Sequence, residues 1–264
     1  MSDKDLTYGS YLRLDTLLAS QAPLSDEHDE LLFIVIHQTA ELWLKLCLHE
    51  LDGARRAIAA DQLPQAIKML ARTVRVMGQL IQSWDVLSTL TPPDYRRLRE
   101  HLGTSSGFQS LQYRQLEFAL GARDPQMVEI HADTPADAAR LRGELERPSL
   151  YDETIRLLAR RGLPVPAAVL ARDFAEAHTP DTGVEACWAM VYGDVERWWD
   201  LYELAEKLTD IEHHLQLWRF GHLKIVERII GFRKGTGGSA GVAYLARVLE
   251  KSLFPELSSV RSVL

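Results

Sequence analysis

The chain of 264 residues carries only two cysteines, Cys47 and Cys187. Two thiols build neither a disulfide framework nor a cysteine-rich zinc site, and they suit a reducing, cytoplasmic setting. Long apolar runs are also missing. The longest, Leu31 to Ile36, is far below the ~20 residues that a membrane span requires. The opening residues, MSDKDLTYGSYLRLD, lack the basic-then-apolar pattern of a signal peptide. A soluble protein is therefore expected, with no membrane partner. There is no basic tract: 30 Lys and Arg face 37 Asp and Glu, a net charge of −7. That balance argues against a nucleic-acid partner. Internal repeats, low-complexity linkers and convincing apolar–polar alternation are absent too, so repeat arrays and sheet proteins are not expected.

What is present is an ordinary globular composition, 46% hydrophobic and 25% charged. A compact chain of 29.9 kDa should leave about 11,700 Å² of surface exposed and bury roughly three-quarters of its unfolded surface.

The apolar residues follow helical spacing. In residues 29–52, Phe33, His37, Ala40 or Glu41, Leu44, Leu48 and Leu51 recur at steps of three and four. Asp29 and Glu30 suit the positive N-terminal end, and Gly53 is expected to stop the helix. Ile67, Leu70, Val74, Met77, Ile81 and Trp84 place a second long helix over 62–87. Thr91-Pro92-Pro93 opens a short helix, with Thr91 as N-cap and Pro92 in the tolerated first turn. Glycine and serine at 103–107 break it, and another amphipathic piece covers 110–120. Prolines cut 122–182 into short helices. The pattern then runs almost unbroken from Gly183 to Gly231, with a joint expected near Leu208-Thr209-Asp210. A glycine-rich loop at 235–241 precedes a last helix over 242–253. The reading is all-α: one domain, 1–264, of packed long helices.

Nine histidines occur. His28, His101, His131 and His178 sit in polar stretches and are expected to be solvated. His37 and His222 differ, because each lies on an apolar helical face. Alone, either reads as a hydrogen-bonded core histidine. Together they read as two imidazoles facing a bundle interior, one able to ligate a metal or haem iron. No multi-histidine ligand motif accompanies them, and His213 and His214 are adjacent, so they cannot chelate together. Haem needs only one strong protein ligand. Tyr95 and Arg99 lie four apart on one face. The pair reads as a carboxylate clamp or as a surface cation over a ring. The 235–241 loop lacks a P-loop's Lys-Ser/Thr ending. It reads as a plain connection or as a segment that closes over a ligand, with Thr236 offering a hydroxyl. Ser106 has no evident base and no nucleophile elbow surrounds it, which disfavours hydrolysis.

At this point the segment from Phe33 to Leu46, FIVIHQTAELWLKL, resembles the distal-side helix of the tryptophan 2,3-dioxygenase family. Four more blocks agree in order: Tyr8-Gly9-Ser10-Tyr11-Leu12, the Tyr95–Arg99 pair, Ser105 to Ser110, and Trp218-Arg219-Phe220-Gly221-His222 running on to the glycine-rich loop. The resemblance implies a haem pocket enclosed by helices, with haem b, one per subunit and ferrous during turnover. It implies insertion of both atoms of O2 across the indole C2–C3 bond of L-tryptophan, giving N-formyl-L-kynurenine. By the same resemblance His222 is the axial ligand of the iron, with Trp84 beside it and Ser106 and Gly107 at the haem edge. His37 is the distal histidine and Phe33 packs on the indole. Ile34, Val35, Ile36 and Leu102 belong to the same pocket. Arg99, helped by Tyr95, binds the substrate carboxylate, and Thr236 contacts its polar end. Tyr8, Tyr11 and Leu12, within an N-terminal segment 1–28, pack on a neighbouring subunit of a homotetramer built as a dimer of dimers. Ile36 and Ala40 stand where many relatives are more polar. A haem mono-oxygenase acting on a substituted indole, or a haem-binding sensor without turnover, are the competing expectations.

Overall fold

The computed structural model describes residues 6–233 and 241–264. Among the described residues, 71% are helical and none forms a strand. Its helices are α1 (Tyr8–Leu12), α2 (Leu14–Leu18), α3 (Glu30–Ala59), α4 (Leu63–Leu87), α5 (Pro92–Arg99), α6 (Leu111–Leu120), α7 (Pro135–Leu145), α8 (Leu150–Arg160), α9 (Ala167–Leu170), α10 (Thr182–Gly193), α11 (Trp199–Ile230), α12 (Val242–Leu249) and α13 (Pro255–Ser259). Short 3₁₀ turns cover Gly107–Gln109, Pro125–His131 and Val260–Ser262.

Helices α3, α4 and α11 form the frame. A short turn joins α3 to α4, so the two run antiparallel. It passes through Asp61 in the left-handed region, φ 57°, and Arg161 grips the Asp61 carboxylate with two nitrogens, at 2.7 and 2.8 Å. Leu44, Cys47, Leu51, Ala54 and Ile58 of α3 bury against Leu70, Val74 and Met77 of α4 and Leu204, Leu208, Ile211 and Leu215 of α11. Both cysteines are free and fully inside this core. α3 is long and apolar enough to cross a bilayer by length and composition. Here its inner face instead packs on α4, α6 and α8. A second, smaller cluster, Leu87, Leu90 and Ile225 with Phe33, Ile36, Trp84 and Tyr95, lies at the end of the frame where the site forms.

Several expected boundaries move. Gly53 does not stop α3, which continues to Ala59. A Cβ at 53 would lie 2.6 Å from Sδ of Met69, so this glycine permits close approach of α4 rather than ending a helix. No joint occurs at 208–210. Thr209 folds its hydroxyl back onto the Ala205 carbonyl at 3.0 Å, which satisfies it inside a continuous α11. The break lies at 194–198 instead, between α10 and α11. The last helix ends at Leu249, and Pro255 opens α13. Thr91 caps α5 as expected, accepting from the Asp94 amide at 3.5 Å. Two histidines expected in solvent are not there: His131 is buried, and His178 stacks on Tyr151 with ring centroids 3.7 Å apart.

Candidate functional site

The N-terminal third of α3, the C-terminal end of α4, α5, the 102–110 loop and the last third of α11 enclose a cavity of about 640 Å³. Ligand pockets typically span about 300–1,000 Å³. Phe33, Ile34, Ile36, His37, Trp84, Tyr95, Leu102, Ser106, Gly107 and His222 all line it. The structure therefore brings ten of the expected site residues to one place.

α3 supplies the first wall. Phe33 and His37, one turn apart, touch with ring centroids 4.2 Å apart. His37 Nδ1 lies 2.7 Å from the Phe33 carbonyl oxygen. A carbonyl only accepts, so Nδ1 carries the proton and, in the neutral ring, Nε2 keeps its lone pair. Burial lowers the His37 pKa, opposed by the Phe33 carbonyl and Glu41.

α11 supplies the opposite imidazole. Burial, joined by the nearby His37, pushes His222 down to about 4. Both rings are therefore neutral near pH 7. His222 lies flat against Trp84, with centroids 5.1 Å apart and planes 5° apart. Trp84 is held by its own Nε1–H, which donates to the Trp218 carbonyl at 3.0 Å. Gly221 makes room for the indole, since a Cβ there would sit 2.5 Å from Trp84 Cδ1. No ring nitrogen of His222 has a hydrogen-bond partner among the described residues.

Tyr95 of α5 faces Phe33 at 6.3 Å between centroids. Burial raises its pKa and the charge of Arg99 opposes the rise. Arg99 is half-buried one turn on. It stands beside Tyr95 rather than among the lining residues. Ser106 caps the 3₁₀ turn at the edge of the cavity, accepting from the Phe108 amide at 3.3 Å.

Besides Arg99, four expected residues are not brought into this chain's own cavity. Val35 is 42% exposed, because it falls on the side of α3 opposite the Phe33–His37 stripe. Tyr8 and Tyr11, 77% and 70% exposed, and Leu12 stand on α1, away from the cavity. Thr236 lies outside the described residues.

The sequence reading missed a polar end of the cavity. Arg219, one turn before His222, donates to Glu117 Oε1 at 2.9 Å, to the Tyr113 hydroxyl at 3.2 Å and to the Val248 carbonyl at 3.4 Å. Arg114 donates to Glu117 Oε2 at 2.6 Å. Arg114 is 3% exposed, lines the cavity, and its Nε has no partner. Glu41, one turn after His37, accepts from Ser110 Oγ at 2.6 Å and Gln112 Nε2 at 2.7 Å. The signal available in sequence was helical spacing from the two histidines, which places Glu41 and Arg219 near the site.

An all-helical frame thus encloses a largely apolar cavity, with two neutral imidazoles on its walls and a phenol beside a guanidinium at its rim, the kind of site that a small-molecule enzyme presents. Comparison with known proteins makes this specific. The family model described as tryptophan 2,3-dioxygenase matches residues 1–135 and 186–264. A tryptophan 2,3-dioxygenase of Erythrobacter litoralis is 61% identical over 261 residues, 99% of each chain. Relatives of the same name from Exiguobacterium sibiricum and a Polaromonas species are 58% and 53% identical, over 99% and 98% of this chain and 94% and 88% of theirs. The chain belongs to the tryptophan 2,3-dioxygenase family, an oxidoreductase family of haem-dependent dioxygenases.

Proposed function

We propose that this protein cleaves the indole C2–C3 bond of L-tryptophan with O2, giving N-formyl-L-kynurenine, with ferrous haem b as cofactor. The observation that carries the reading is the pair of neutral imidazoles, His37 and His222, lining one apolar cavity.

The residues fit a haem. His222 is neutral, as a metal ligand must be, and its ring has no hydrogen-bond partner among the described residues. His222 would hold the iron, with Trp84 fixing the plane of its ring. Ser106 and Gly107 would border the macrocycle. Arg114, buried and with a free Nε, offers a cation to its acidic edge. When bound, haem supplies the activation of O2 that closed-shell organic molecules lack.

The chain's own groups bind and orient the substrate. Phe33 packs on the indole, and Nε2 of His37 accepts a hydrogen bond from the indole N–H. Burial lowers the His37 pKa, so the ring is neutral near pH 7 and Nε2 keeps the lone pair for that bond. Arg99 pairs with the substrate carboxylate and Tyr95 orients that pair. Leu102, Ile34 and Ile36 keep the slot dry, which strengthens the charged clamp. Fixing ring and carboxylate at once supplies the proximity term.

We further propose a cytoplasmic homotetramer, a dimer of dimers. The chain alone exposes 14495 Å², above the ~11,700 Å² of a compact monomer this size. Tyr8, Tyr11 and Leu12 account for part of the exposed apolar surface and suit a neighbour's pocket. Two unpaired cysteines suit a reducing compartment.

The test is mass spectrometry of the product made from L-tryptophan and ¹⁸O2 by the reduced, haem-loaded protein. Two labelled atoms in one product are expected. One labelled atom would move the reading to a mono-oxygenase, and no product from fully reduced haem protein would remove tryptophan as substrate.

A further inference from the structure

Residues 20–25, between α2 and α3, form no regular element, yet Ala22 and Leu24 line the cavity. Bare coil cannot serve as a fixed wall, because each of its residues gains entropy on release. Two side chains of α3 hold it. Glu30, 2% exposed, accepts from the Leu24 amide at 2.8 Å through one oxygen. Through the other it accepts from the Ser25 amide at 2.8 Å and the Ser25 hydroxyl at 2.5 Å. Gln38 donates to the Ser20 carbonyl at 3.0 Å and accepts from Gln21 Nε2 at 2.6 Å.

The two anchors are eight residues apart, about 12 Å along the helix axis. They bracket Phe33 and His37. One rigid helix therefore carries the aromatic slot and both ties to the coil facing it, and the spacing between slot and wall is set within α3. Glu30 itself borders the cavity, with both of its oxygens engaged by main chain and Ser25. Its pKa is lowered, first by the Leu24 amide and then by Ser25, as a carboxylate that works as an anion requires.

We propose that Glu30 and Gln38 are positioning residues that fix the 20–25 coil, through Ala22 and Leu24, as a wall of the substrate site. This rests on the reading of the cavity as a tryptophan site. Steady-state kinetics of haem-loaded Glu30→Gln, Gln38→Leu and Ser25→Ala, paired with amide hydrogen exchange, tests it. Glu30→Gln leaves one acceptor oxygen where two worked. It should speed exchange at residues 20–25 while α3 stays protected. It should also raise KM for tryptophan about tenfold, as loss of hydrogen bonds to a charged group implies. The Soret band should not move, and kcat should stay within about twofold if only ground-state seating is lost. Gln38→Leu should behave alike, and Ser25→Ala, which keeps both amide bonds, should show a smaller rise. Faster exchange with unchanged KM would overturn the proposal, since the coil would then not be a wall of the site. Joint loss of haem and kcat would also overturn it, making Glu30 a general support of α3. Wild-type protein that neither binds nor turns over tryptophan would remove the proposed function, and this inference with it.

Discussion

The rings of Trp84 and His222 lie parallel, 5.1 Å between centroids, while the Trp84 N–H is tied to the carbonyl of Trp218. α4 is thereby docked onto α11 one turn below the imidazole, and Gly221 is the gap that lets the indole in. Gly221→Ala should push Trp84 away, because its Cβ would meet Cδ1 at 2.5 Å. The expected cost is about 1–3 kcal/mol of overpacking. Trp84→Phe keeps the stack and loses the hydrogen bond, at about 1 kcal/mol. Thermal unfolding with and without haem measures both, and the glycine variant should lose more of the stabilisation that haem confers.

The two histidines should separate by phenotype. His222→Ala should abolish stable haem binding and all haem-dependent activity. His37→Ala should keep haem and lower turnover. Absorption spectra and product assays on both variants check this, and loss of haem from His37→Ala would mean that the two faces are assigned the wrong way round.

Arg99→Ala should raise KM for L-tryptophan by roughly 30-fold or more, the scale of ~2 kcal/mol or above for truncating one partner of a buried charge pair. The haem spectrum should hardly change. Arg99→Lys should recover little, because an ammonium cannot make the two parallel bonds of a guanidinium. An unaltered KM would place the carboxylate elsewhere.

His178 gives a pH dependence independent of the site. Burial pushes its pKa down to about 4, with the Arg172 charge adding to the effect. The folded state thus takes up this proton later than the unfolded chain. The contribution is whole above the ordinary value of 6.5 and drains away as pH falls toward 4. The slope is at most about 1.4 kcal/mol per pH unit. His178→Phe keeps a ring on Tyr151 and should flatten the stability curve across that window. Denaturant melts at several pH values read it directly.

The frame is legible in sequence because each long helix buries one stripe, and apolar residues at steps of three and four announce it. His37 and His222 stand out for the same reason, as polar residues on those stripes. Gly53 and Thr209 mislead because a helix-breaking preference is local, while Met69 packing on one and the Ala205 carbonyl accepting from the other are supplied by structure. Helical spacing from His222 places Arg219 near the site, but its pairing with Glu117 is illegible for a different reason. The partners are 102 residues apart, and nothing in the spacing along α11 says which acidic residue of another helix will meet the charge. Val35 was carried by adjacency to its neighbours, and a helix turns adjacent residues about 100° apart.

The sealed thiols have a bearing on wear. Cys47 and Cys187 are both 0% exposed, and burial pushes the Cys47 thiol up to about 12. Oxidation of cysteine proceeds from an accessible thiolate, so a protein that works with dioxygen keeps its most vulnerable sulfur protonated and out of reach. The thioether of Met190, 48% exposed on α10, stands outside that protection. A sulfoxide at Met190 is therefore expected to form before either cysteine is oxidised.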